Sequence, residues 1–104
     1  MTRVFAVPNP NYANITVEVI QSRALADLLV YRNDKAVSEA HDESIWTFVE
    51  QRQNAHIAVY FTHEGRGMAH LRIAYVPNAT LAGWMKHHRL RGRLNRRHPE
   101  LALG

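Results

Sequence analysis

The residues of this chain whose types and spacing could carry chemistry are its histidines, a repeated arginine and a basic run near residue 90. His56, His63 and His70 are spaced by seven, and with His41 they could present imidazole nitrogens to a metal ion. His56 and His70, however, hold the same place in a repeated pattern as Asn14 and Asp27, which are polar without all being metal ligands. His63 falls in a connector. The pattern favours a ring of polar residues at strand starts that hydrogen-bond the turns. A metal or general-base site survives only if His56, His70 and Asp27 converge on one rim.

Arginine stands three residues before an alanine at Arg23, Arg52 and Arg66. A periodic anion-binding surface is one reading. The favoured one is that each arginine brackets neighbouring turns through carbonyls or local carboxylates. The segment Lys86–His98 is different, because six cations (Lys86, Arg89, Arg91, Arg93, Arg96, Arg97) fall close together. It could neutralise several phosphates and give salt-sensitive, sequence-independent binding of nucleic acid. The competing reading docks Leu90 and Leu94 on the sheet and leaves the charges solvated.

Nothing else resembles a catalytic device. Paired catalytic carboxylates, a nucleophile elbow and a phosphate loop are all missing, and Gly65-Arg66-Gly67 lacks the strand-to-helix context of a nucleotide loop. The expectation is a non-enzyme with no assigned catalytic residue, metal or cofactor. Trp46, Tyr60, Phe61, Tyr75 and Trp84 read as packing residues rather than a ligand stack, and Tyr12 and Tyr31 as partly exposed.

The elements that position these residues follow from composition and periodicity. A chain of 104 residues with 46% hydrophobic content suits one globular domain. It has no cysteine, hence no disulfide or thiolate site. No apolar run is long enough for a signal peptide or a membrane span, so a soluble cytoplasmic protein is expected. The charge of +4 is uneven: residues 1–83 carry seven Lys/Arg and eight Asp/Glu, and residues 84–104 carry six and one.

An alanine-led unit recurs about every 13–15 residues, at Ala13–Val19, Ala26–Arg32, Ala55–Phe61 and Ala69–Tyr75, with a degenerate copy at Ala82-Gly83-Trp84. The second, fourth and sixth residues after the alanine are mostly large and apolar: Ile15, Val17, Val19; Leu28, Val30; Ile57, Val59, Phe61; Leu71, Ile73, Tyr75. That alternation predicts half-buried strands. Arg32 breaks the set at a strand end. The connectors are too short for a crossover helix, so consecutive strands are expected to be antiparallel neighbours or to turn corners between sheets, in an antiparallel or mixed β fold. Two regions escape the rhythm. One is the polar insertion Asn33–Ser44 before Ile45–Val49. The other is the segment after Leu81, expected to be short helical or irregular, where Trp84, His88, Arg91 and Leu94 have helix-compatible spacing and Gly92 and Pro99 limit any helix.

The strings SRALADLLVY (Ser22–Tyr31), QRQNAHIAVYF (Gln51–Phe61) and GRGMAHLRIAY (Gly65–Tyr75) resemble the serial units of the septoil-knot family. IWTFV (Ile45–Val49) resembles that family's tryptophan-containing strand, and AGWMKHHRLRGRL (Ala82–Leu94) its closing segment. The resemblance implies an all-β domain over residues 1–94 with a deeply knotted backbone, followed by a flexible basic tail over 95–104. It transfers no activity. The leading expectation is a non-enzymatic structural or binding module of unknown ligand, with about six or seven strands. The alternative is a nucleic-acid-binding accessory protein acting through the basic segment. A histidine-based metal hydrolase is a third reading.

Overall fold

The computed structural model describes residues 1–33, 42–63 and 69–95. Seven strands follow one another: β1 (Thr2–Ala6), β2 (Ile15–Val19), β3 (Leu28–Arg32), β4 (Ile45–Phe48), β5 (Ile57–Thr62), β6 (Leu71–Tyr75) and β7 (Gly83–Trp84). Strands β2, β3, β5 and β6 coincide with the alternating segments and β4 with Ile45–Val49, as β-branched and aromatic residues on a half-buried pleat require, while β1 is not marked by the repeat. The sheet order is β4-β1-β5-β2-β6-β3-β7, and β4 also pairs with β3, which closes β4, β1, β5, β2, β6 and β3 into a barrel.

Of the antiparallel or mixed sheet expected, the mixed one is observed, and the expectation of antiparallel neighbours is corrected. Every pairing around the barrel is parallel, and only the two-residue β7 runs antiparallel, beside Leu28 and Leu29 of β3. Short connectors normally exclude parallel neighbours because the chain must retrace the whole strand. Strong stagger removes that need. Strand β1 pairs with β4 over Thr2–Val4 but with β5 over Val4–Ala6, and β5, β2 and β6 shift in the same way. Such a stagger tilts the strands steeply against the barrel axis. As a result the end of one strand is level with the start of the strand two places on. Ala6 lies beside Val59, and Val59 beside Ile15. Val19, Ile73 and Leu28 line up likewise, as do Phe48, Val4 and Ile57, and Phe61, Val17 and Leu71. A connector therefore has only two strand spacings to cross, about 10 Å.

The described connectors from β1 to β2, β2 to β3 and β4 to β5 each step over the strand in between and bond to it. Val7 N–H donates to Val59 on entry to the first connector, and Asn14 N–H donates to Ala58 on exit. Ile20 and Asp27 do the same on Ile73 and Arg72, and Val49 and His56 on Val4 and Arg3. The chain thus winds twice around one barrel. Strands β1, β2 and β3 form the first winding, and β4, β5 and β6 fill the gaps between them. Connectors of each winding lie over strands of the other.

The repeated alanine now has a physical meaning. Short 3-10 turns occupy Pro10–Tyr12, Arg23–Leu25, Arg52–Asn54 and Ala79–Leu81, and each is ended by Ala13, Ala26, Ala55 or Ala82. The alanine N–H closes the turn, and the small side chain tucks beneath it. Ala26 is fully buried, and packs with Ile20, Leu29, Ala74 and Val76 in a cluster outside the barrel. Arg52, at the head of its turn, donates to the carbonyl of Tyr12 at 2.6 Å, so it brackets a neighbouring turn as expected. Arg66 lies outside the described residues.

Inside the barrel, Val4, Ile15, Val17, Leu28, Val30, Trp46, Ile57, Val59, Leu71 and Ile73 form one core with Leu90 and Leu94. Since the barrel strands are parallel, all of them start at one mouth and end at the other. At the end mouth Phe48 packs on Phe61, ring centres 5.7 Å apart, and the Arg32 guanidinium lies 4.2 Å above Phe48. Tyr75, expected inside, ends β6 at 40% exposure. Among the described residues no helix follows Leu81, so the irregular form of the expected end is the one observed. Gly92 at φ +85° is in the left-handed region, and the chain there is a run of turns.

Small outward residues let the connectors lie close. Ala74→Leu should lower stability by about 2 kcal/mol in urea denaturation because the crossing connector is pushed off the sheet. Ala79→Leu, on an exposed turn, should leave it unchanged.

Candidate functional site

The polar residue after each alanine sits where a connector meets the strand it has crossed. Asn14 Oδ1 accepts from Ala58 N–H at 2.8 Å, while Asn14 N–H donates to the Ala58 carbonyl. Asp27 makes the same reciprocal pair with Arg72, His56 with Arg3 and His70 with Thr16. Asparagine, aspartate and histidine share one property here: an acceptor atom at the δ position. Histidine supplies it as Nδ1, so His56 and His70 carry their proton on Nε2. The expected hydrogen-bonding ring exists, but its partners are strand backbones rather than turns.

The same bonds seat the residues of the metal reading on different strands. His56 is bound to β1, His70 to β2 and Asp27 to β6, so the sequence-matched positions stay on separate strands. Among the described residues no group of three histidine or acidic side chains could hold a metal. His63 follows β5 at an exposed position, and His41 lies outside the described residues.

The starting mouth is closed by residues 84–95, the basic segment singled out in the sequence. Leu90 and Leu94 are 1% and 0% exposed and complete the barrel core. Burying each contributes about 2 kcal/mol. The backbone that carries them is held by one buried carboxylate. Glu43, just before β4, accepts from Trp84 Nε1 at 2.7 Å, from Gly92 N–H at 2.5 Å and from Leu94 N–H at 3.1 Å. Its own carbonyl accepts from Thr2 Oγ1 and Trp46 Nε1. Sequence reasoning missed Glu43, which lies in the irregular insertion with no repeat partner to mark it.

With its leucines turned in, the cap turns its cations out. Arg89, Arg91 and Arg93 are exposed. Lys86 lies 3.8 Å from Asp27, and His88 3.7 Å from the other Asp27 oxygen while stacking on Trp84. Arg96 and Arg97 lie outside the described residues. Arg89 is close enough to His70 to act on it: burial, then the Arg89 charge, lowers the His70 pKa below its ordinary 6.5. Beside the cap, Arg3, Gln53, Asn54, His56 and Asn95 line an open depression. No described helix is long and apolar enough to cross a membrane.

A closed parallel barrel of two interleaved windings, with a basic plug in one mouth, defines a compact all-β module. The family model for the 7(1) septoil knot domain matches residues 1–85, and the chain belongs to that family. Searches of curated proteins and of solved structures found no match. The match ends at residue 85, so the cations from Lys86 onward lie beyond it.

Two outcomes follow from this geometry. A folded-state pKa held below the unfolded one makes the His70 contribution complete above about pH 6.5, and it is lost as the pH falls through the lowered value. Wild type should therefore lose more stability between pH 7.5 and 5 than His70→Asn, which keeps the acceptor and does not titrate. Paired denaturation curves measure the difference. Glu43→Ala strands the amides of Gly92 and Leu94 and the indole of Trp84, and should cost roughly 3 kcal/mol. Amide exchange at Leu94 should then outrun exchange at Val59, which shows that the cap opens before the barrel.

Proposed function

We propose that the protein is a non-enzymatic binding module whose working face is the capped mouth, and that this face takes the phosphate backbone of a nucleic acid. One observation carries the reading: the burial of Leu90 and Leu94 fixes Arg89, Arg91 and Arg93 in a solvent-facing array. The array is built on a rigid barrel, so binding a polyanion does not require ordering a tail. Loosely tethered cations would pay that entropy on each encounter. Among the described residues, Asp27 is engaged by Lys86 and His88 and Glu43 by the cap backbone rather than by the arginines. Phosphate contacts of this kind give affinity without sequence preference.

The reading requires salt-dependent binding of single- or double-stranded DNA or RNA in a mobility-shift or anisotropy titration. Arg89→Gln, Arg91→Gln and Arg93→Gln combined should weaken binding at least tenfold at low salt and flatten the slope against log salt by about three. An unchanged affinity in the triple variant, or no binding by wild type at 50 mM salt, overturns it.

A further inference from the structure

We infer that the capped mouth takes its nucleic acid single-stranded, with one base stacked on the ring of Tyr12. The inference rests on the cap being a phosphate-binding face, and names what holds the bases. Tyr12 is 64% exposed, the most exposed large hydrophobic side chain among the described residues. The fold does not ask for an aromatic there. Tyr12 ends the 3-10 turn Pro10–Tyr12, and the same place in the other described turns is filled by Leu25, Asn54 and Leu81. No residue of these four turns is buried. A tyrosine offers what leucine and asparagine lack, a flat π-face on which a base stacks.

The ring is carried on a rigid turn. Pro10 fixes the first φ of the turn. Asn9 Oδ1 accepts from Asn11 N–H at 2.9 Å, and the Asn9 carbonyl accepts from Tyr12 N–H at 3.1 Å. The Tyr12 carbonyl accepts from Arg52 Nη1 at 2.6 Å, which ties this turn to the Arg52–Asn54 turn. Little backbone freedom is left to lose when a base lands on the ring. The turn runs directly into the start of β2, so Tyr12 stands on the rim of the mouth that the cap closes. Two links bring that rim to the cap. Thr16 N–H, four residues after Tyr12, donates to His70 Nδ1, and His70 lies close enough to Arg89 for that charge to act on it. Asn95 of the cap lines one depression with Gln53 and Asn54, of the turn whose arginine holds Tyr12. The cap arginines therefore meet the phosphates while the ring meets a base of the same strand. A duplex keeps its bases stacked inside, whereas an unpaired base has a free face for the ring. Every base has such a face, so the preference is for strandedness and not for sequence.

The full chain is titrated at low salt with three ligands of equal length: oligothymidylate, an abasic oligomer with the same phosphates, and a DNA duplex. Oligothymidylate should bind about tenfold more tightly than the abasic oligomer, the difference one stacked base makes. Tyr12→Leu, which installs the side chain found at the matching Leu25 and Leu81 positions, should close that gap, and Tyr12→Phe should keep it. Oligothymidylate should also move the Tyr12 ring protons upfield in the NMR spectrum, and the abasic oligomer should not. That readout reports stacking in the unaltered protein. Equal affinity for the two oligomers, a gap that survives Tyr12→Leu, an unmoved Tyr12 ring or tighter binding of the duplex each overturns the inference. Salt-dependent binding of the abasic oligomer then leaves the phosphate reading standing. If none of the three ligands binds, both fall.

Discussion

Because each strand meets its second neighbour further along than its first, strand ends fall level with the starts of strands two places away. That stagger is the constraint behind everything else in the molecule. It permits a parallel barrel without crossover helices. It makes the connectors after β1, β2 and β4 pass over the strand that lies between their neighbours, and so demands small residues such as Ala58 and Ala74 beneath the crossing. It also dictates an acceptor at the landing point, where the newly begun strand must bond to the one just crossed.

The two stretches that break the repeat turn out to depend on each other. Glu43 from the insertion and residues 84–95 meet at the starting mouth, joined by three hydrogen bonds. A buried carboxylate is costly to desolvate. Here backbone amides and an indole N–H supply the hydrogen bonds that offset the cost. Using amides rather than arginines as the counter-groups leaves the arginines turned to solvent.

Much of this was written in the sequence. Period-two alternation from Ile15 to Tyr75 marked the strands, and the shared position of Asn14, Asp27, His56 and His70 marked an architectural role over a catalytic one. Strand direction was hidden, because the length of a connector says how far the chain travels only if the stagger is known. Of the helical or irregular end expected after Leu81, the described residues take the irregular form, because spacing shows which side chains could share a face but not where a glycine turns the backbone. Leu90 and Leu94, four apart, are buried through turns instead. Glu43 was illegible for a simpler reason: its partners are main-chain groups, which leave no mark on residue type.

The interleaved order has a consequence for synthesis on the ribosome. Strands β1, β2 and β3 share no pairing with one another, and each finds its partners only among β4, β5, β6 and β7. A nascent chain that has emerged as far as Arg32 therefore exposes every strand edge it possesses. Edges of that kind recruit other chains when left waiting. The barrel must be assembled almost at once when β5 and β6 arrive, so the interval of translation between residues 33 and 75 is when this protein is most in need of isolation from its neighbours.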